Sequence, residues 1–160
     1  MLLPTFFTYL AAASALVVPR DPRPVFDGSC CFGLRERATG TTILQEISLG
    51  SLYVGGRSDN TVESWYCMNL KDGRHILRDP WNSACYLRPE KEFVCQDPTP
   101  SLDVWTLESS GASRLLANGG RTSWLACPSS GRGNQIWGTG STKTGCKTVQ
   151  LEAYGFLGKC

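Results

Sequence analysis

Eight cysteines constrain this chain more than any other feature, and two of them, Cys30 and Cys31, are adjacent. None of the spacings is a C-x₂₋₄-C pair and there is one histidine, so the pattern does not match a zinc site. Neighbouring side chains on a strand point to opposite faces, which predicts different partners for Cys30 and Cys31. We expect four disulfides and no metal or cofactor, with 105 possible pairings. The cysteines are Cys30, Cys31, Cys67, Cys85, Cys95, Cys127, Cys146 and Cys160.

An apolar stretch, MLLPTFFTYLAAASALVVP, precedes the first charged side chain at Arg20. It ends in small residues, and Ala13-Ser14-Ala15 fits an A-x-A cleavage site. The unbroken apolar run is shorter than the roughly 20 residues of a membrane-spanning helix. We predict a signal peptide over 1–15, an extended leader over 16–29 and one cysteine-rich domain over 30–160. The protein is then secreted, extracellular or in a cell wall, with no membrane partner, and its disulfides persist there.

Short runs rich in β-branched and aromatic residues, such as TTILQEI and KTVQLEAY, alternate with glycine and proline turns. This pattern predicts an all-β domain. Leu34, Leu70 and Leu107 each precede a polar turn with glycine and a second apolar run, at separations of 36 and 37 residues. Three such units are typical of a β-trefoil, and repeats of this length indicate an internal symmetry. We therefore prefer a compact, disulfide-linked trefoil-like barrel, with a β-sandwich as the alternative.

Candidates for catalysis are few. His75 is the only imidazole, and its position after a turn is typical of a surface strand residue. Six carboxylates could supply the acid pair of a glycosidase, but no spacing selects two of them. We therefore predict no enzymatic activity and no catalytic residue. The six are Glu63, Asp79, Glu90, Glu92, Asp97 and Asp103.

Five tryptophans are many for a chain of 160 residues. Trp105 and Trp124 lie within apolar strand runs, which predicts core packing. Trp81 lies in the turn sequence RDPWNSAC and is the candidate for an exposed platform that stacks on a sugar ring. The charges are interleaved and sum to +2, without the clustered basic stripe of a nucleic-acid-binding protein. We expect no nucleic-acid partner.

Six segments follow one another in the domain: CFGL, SLGSLYVGG, CMNLKDGRHILRDPWNSAC, EFVCQDPTP, VWTLESSGASRLLANGGRTSWLACPSS and GCKTVQLEAYGFLGKC. Their order resembles the C-terminal cysteine-rich domain of fungal Pir-type cell-wall mannoproteins and their short secreted relatives. The resemblance covers residues 30–160 and implies a non-enzymatic structural protein of the fungal cell wall. A soluble carbohydrate-binding module or effector is the alternative.

One segment departs from that family. The family's S-D-G-Q repeats carry a glutamine that is esterified to wall β-1,3-glucan, whereas this chain has Ser48-Leu49-Gly50-Ser51. A hydroxyl at Ser51 cannot supply the carboxamide that the ester consumes, so we expect cell-wall β-glucan to be bound non-covalently. The turn position predicts that Ser51 is exposed, and Gln45 is the remaining candidate for a covalent link nearby.

Overall fold

The computed structural model describes residues 23–160 except 72, 74 and 98. The predicted signal peptide and the first part of the leader lie outside these residues. No helix in the described part of the chain could cross a membrane. The described elements are strands: β1 Cys30–Glu36, β2 Ile43–Glu46, β3 Leu52–Val54, β4 Thr61–Glu63, β5 Trp65–Met68, β6 Leu77–Arg78, β7 Ala84–Leu87, β8 Phe93–Asp97, β9 Trp105–Ser110, β10 Ser113–Asn118, β11 Ser123–Ser129, β12 Gly133–Gly138 and β13 Lys147–Gly158.

The longest strand, β13, organises the antiparallel sheet. One of its edges pairs with β1, where Leu34 lies opposite Ala153. The other edge is divided between β11, which pairs with residues 147–150, and β10, which pairs with 152–153. The β9–β10 hairpin is therefore a side branch of the main path, which runs β4-β2-β3-β12-β11-β13-β1-β5-β6-β7-β8.

The compact all-β domain is confirmed, but the preferred trefoil-like barrel is not formed. Closing a barrel requires a continuous ladder between the end strands of the path, which here are β4 and β8. Instead, β8 and the residue before it return to the middle of the sheet through two single bridges, Ser51 to Val94 and Glu92 to Trp137. The sheet curls without closing.

The core is built around stacked aromatic rings. The Phe93 ring lies 4.7 Å from Trp105 and 5.1 Å from Trp124, measured between centroids. Both tryptophans are 1% exposed, as their strand positions predicted. Their indole N–H groups donate to the carbonyls of Cys85 and Leu116, so burial leaves neither donor unpaired.

All eight cysteines form disulfides, as predicted. Cys30 bonds to Cys160 and Cys31 to Cys67, which confirms that the adjacent pair has different partners. Cys30 belongs to the main core, whereas Cys31 lies in a smaller cluster with Trp65 on the opposite face. The remaining bridges are Cys85–Cys95 and Cys127–Cys146.

Candidate functional site

A groove of about 620 Å³ lies beside the edge strand β4, and we call it the Trp81 groove. Three aromatic residues contribute to it from separate parts of the chain: Trp65, Trp81 and Tyr154. Aromatic walls with a few polar groups are typical of small-molecule sites. The other lining residues are Arg23, Arg57, Thr61, Val62, Glu63, Ser64 and Pro80.

Trp81 is 51% exposed on the short turn between β6 and β7. The turn is closed by Asp79, whose Oδ1 accepts hydrogen bonds from the backbone N–H groups of Trp81 at 3.0 Å and Ser83 at 2.8 Å. Aspartate commonly caps turns in this way. Asn82 takes a left-handed conformation with φ of 67°, which asparagine tolerates better than most residues. Local sequence therefore holds the backbone of this turn, and Trp81, the candidate for an exposed platform, lies at the surface.

Asp79 also ties this turn to the sheet. The carboxylate is 2% exposed, and its Oδ2 accepts a hydrogen bond of 2.8 Å from Nε2 of Gln45 on β2. Burial raises the pKa of the Asp79 carboxyl, an effect that the hydrogen bonds from Gln45 and from the turn partly offset. The turn that carries the exposed Trp81 ring is thus held by a buried carboxylate.

Trp65 forms a covered wall of the groove. It is 3% exposed, and its Nε1 donates to the Pro24 carbonyl at 2.9 Å. The Arg23 guanidinium lies 5.4 Å from the ring centroid, within cation–π range. Phe26 packs on the same cluster beside the Cys31–Cys67 disulfide. The described end of the leader is therefore part of the groove and packs on the domain before Cys30.

Tyr154 reaches the groove because its neighbour on β1 is a glycine. Gly33 lies opposite Trp65 on β5 and opposite Tyr154 on β13. A Cβ atom at Gly33 would lie 2.8 Å from the Tyr154 ring, so the ring occupies the space that a side chain would fill. The Arg35 guanidinium lies 5.5 Å from the Tyr154 ring centroid and bonds to Glu152 at 2.7 Å. The hydrogen bond from Arg35, followed by one from Ser113, lowers the pKa of Glu152.

The six candidate acids do not converge on the groove. Glu63 is the only one of them that lines it in the described part of the chain. Asp79 anchors the Trp81 turn, and Glu92 accepts hydrogen bonds from Ser51, Gln135 and Arg88. Asp103 accepts from the backbone of Leu87 and from Asn118, while Glu90 and Asp97 are exposed elsewhere.

His75 lies outside the strands, which corrects its predicted place on a surface strand. Its Nδ1–H donates to the Trp105 carbonyl at 3.1 Å, and the residue lies in the connection before β6 with a φ of 44°. Between residues 23 and 160, leaving aside the three undescribed positions, no group of three potential ligands could hold a metal ion.

The predicted exposure of Ser51 is wrong. Leu49 is 47% exposed at the turn, but Ser51 is 1% exposed, and its hydroxyl donates to Glu92 at 2.8 Å. The chain passes beneath β8 immediately after the turn, where the Gly50 carbonyl accepts from the Cys95 N–H at 3.0 Å. Gln45 is also 1% exposed, so its carboxamide is not accessible to a linking enzyme.

No protein-family model, curated protein or solved structure matches the chain. The resemblance to the Pir-type domain therefore stays a prediction. Trp65 and Tyr154 were not predicted as groove residues, because each lies in an ordinary strand run and no local signal marks it. They meet only through the pairing of β1 with β5 and β13.

Proposed function

We propose that this chain is a secreted, non-enzymatic protein of the fungal cell wall that binds wall polysaccharide, β-glucan foremost, without a covalent link. The Trp81 groove is the binding site in this proposal. The four disulfides support a role outside the cell, where such bonds persist. Each typically adds about 2–4 kcal/mol by restricting the unfolded chain.

The observation that carries the proposal is the exposure of Trp81. The other four tryptophans are 1–6% exposed, whereas Trp81 is 51% exposed on a turn that hydrogen bonds hold in place. A single exposed apolar side chain is ordinary, but this indole lies in a groove that Trp65 and Tyr154 also line, and that combination supports a binding surface. The C–H face of a pyranose ring packs against such an aromatic face and leaves its hydroxyls for the polar wall.

A released carbohydrate-binding protein or effector, the alternative from the sequence, would use the same groove. The two differ in where the protein resides rather than in what it binds. Fractionation of the producing cells into wall and culture medium separates them. Retention on walls supports the first, and recovery in the medium supports the second.

The test is depletion binding of the purified mature protein to insoluble β-1,3-glucan and to chitin. Trp81→Ala should weaken glucan binding about tenfold or more, because it removes the stacking surface, and Trp81→Phe should restore part of it. Leu102→Ala is the matched control, since Leu102 is fully exposed and lies outside the groove. Unchanged binding by Trp81→Ala, or wild-type protein that binds neither polymer, would contradict the proposal.

A further inference from the structure

The charges that line the Trp81 groove are unequal. Arg23 and Arg57 contribute two guanidinium groups, and Glu63 contributes the one carboxylate among the described lining residues. Arg57 is exposed and forms no ion pair within the part of the chain that the structure describes. A neutral glucan offers hydroxyl groups only, and these do not require a cationic wall.

Contacts within the chain hold Arg23 in position. Its guanidinium stacks over Trp65, and the adjacent Pro24 carbonyl accepts the indole N–H of the same tryptophan. The leader therefore places a guanidinium group, stacked on Trp65, in the groove wall.

We propose that the Trp81 groove takes a glycan that carries an anionic group, with a sugar ring on Trp81 and the anion at Arg57. A uronate carboxylate and a sugar phosphate share this chemistry, because both present paired oxygens to the donor fork of arginine. Arg23 adds attraction, and Glu63 opposes it. The inference rests on the proposed glycan-binding function, and it replaces neutral β-glucan by an anionic glycan as the preferred ligand of the groove.

The experiment is calorimetric titration of the mature chain with three probes of equal size. These are a neutral β-1,3-gluco-oligosaccharide, an oligosaccharide ending in glucuronic acid and an oligosaccharide ending in a phosphate. At low salt the anionic probes should bind about five- to tenfold more tightly than the neutral one. Added salt should reduce that preference, since exposed charges are screened. The better of the two anionic probes identifies the source of the anion.

Substitutions separate the charge effect from stacking. Arg57→Gln should lower affinity for the anionic probes to the neutral level and leave the neutral probe unchanged. Arg57→Lys should retain part of the preference, and Glu63→Gln should increase it. Arg121→Gln is the control, because Arg121 is exposed and bonds to Thr139 away from this groove.

Two outcomes overturn the inference in distinguishable ways. Equal affinity for neutral and anionic probes, unaffected by salt and by Arg57→Gln, would refute the ligand class and leave glycan binding intact. Wild-type affinity of Trp81→Ala for every probe, or no binding of any probe by the wild-type protein, would refute the site itself.

Discussion

Asp79 holds Trp81 in place through a hydrogen bond of 3.0 Å from the Trp81 backbone N–H to its Oδ1 atom. The carboxylate is buried, whereas the indole that it positions is half exposed. A turn held by hydrogen bonds loses less conformational entropy on binding than a mobile turn. If Trp81 binds a glycan as proposed, Asp79 should therefore contribute to the affinity without touching the ligand.

Asp79→Ala should weaken both the fold and the groove. The change leaves the backbone N–H groups of Trp81 and Ser83 and the side-chain amide of Gln45 without their acceptor. We expect a loss of about 1–3 kcal/mol in the free energy of unfolding, measured by urea denaturation. Glucan binding should fall as well, although the indole is unchanged. Wild-type affinity in this variant would show that the turn holds Trp81 without Asp79.

Asp79→Asn should behave differently and should reveal the titration of Asp79. The new amide can donate to Oε1 of Gln45, a buried atom without a partner in the described structure, if the Gln45 amide turns over. Burial raises the folded-state pKa of Asp79 above 3.8, so the folded state keeps this proton to higher pH than the unfolded state does. The wild-type protein therefore loses stability from this group as pH rises through that window. Unfolding measured at pH 3.5, 5 and 7 should show that the free energy of unfolding of Asp79→Asn, relative to that of wild type, increases as pH rises.

Glu152 should have the opposite effect on how the free energy of unfolding depends on pH. The hydrogen bond from Arg35, reinforced by Ser113, lowers its folded-state pKa below 4.5. The stability that it contributes is present above pH 4.5 and is lost as pH falls through the folded-state pKa. Glu152→Gln should therefore flatten the acid side of the stability curve. Glu90→Gln, at an exposed position, is the control, and equal acid sensitivity in wild type and Glu152→Gln would refute the assignment.

Gly33→Ala should reshape the groove while the fold persists. The added methyl group would lie 2.8 Å from the Tyr154 ring, which must move. Overpacking of this kind costs about 1–3 kcal/mol, and the displaced ring should change glycan affinity. Gly73→Ala is the matched control, since nothing lies within 4 Å of its new methyl group. Unchanged affinity in Gly33→Ala would exclude Tyr154 from the binding surface.

The disulfide map is a further test. Labelling after denaturation without reductant should find no free thiol, and peptide mapping should recover Cys30–Cys160 and Cys31–Cys67. The chain-entropy model assigns about 5 kcal/mol to a bridge across 130 residues and about 3 kcal/mol to one across 10. Replacing both cysteines of Cys30–Cys160 by alanine should therefore destabilise the fold more than removing Cys85–Cys95. A recovered Cys30–Cys31 bond would contradict the structure.

The sequence could predict the strands and the number of disulfides, but not which cysteines pair. Strand register decides the pairing: Cys31 lies directly opposite Cys67 across β1 and β5, and Cys85 lies opposite Cys95 across β7 and β8. Register is a non-local property that one sequence does not display. The barrel prediction failed for the same reason, because whether the end strands β4 and β8 pair is also non-local, and in the structure they do not.

The same difference between local and non-local features applies to the candidate site. Exposure of Trp81 was predictable, because the Asp79-Pro80 turn is encoded within a few residues. The burial of Ser51 was not, because it depends on β8, more than 40 residues further along the chain. Local turn chemistry can be interpreted from sequence, whereas the strand that later covers a turn cannot.

The buried position of Ser51 changes what an engineered wall linkage should do. Leu49→Asp with Ser51→Gln recreates the S-D-G-Q motif, and an exposed turn would then present the glutamine to linking enzymes. In the structure the larger side chain must enter the site where Ser51 bonds to Glu92. We expect a loss of about 1–3 kcal/mol in the free energy of unfolding and no ester link. Leu49→Asp alone, at an exposed position, should change stability by less than about 0.5 kcal/mol.

Extraction of intact walls measures the outcome. Wild type and the double variant should both leave with hot detergent, without alkali or glucanase, because neither presents an accessible carboxamide at this turn. Retention of the protein by walls should depend on Trp81 rather than on Ser51, so Trp81→Ala should lower the amount of protein that walls retain before extraction. Wild-type protein that resists hot detergent but leaves with mild alkali would contradict non-covalent retention. Since Gln45 is buried against Asp79, the link would then have to lie outside this turn.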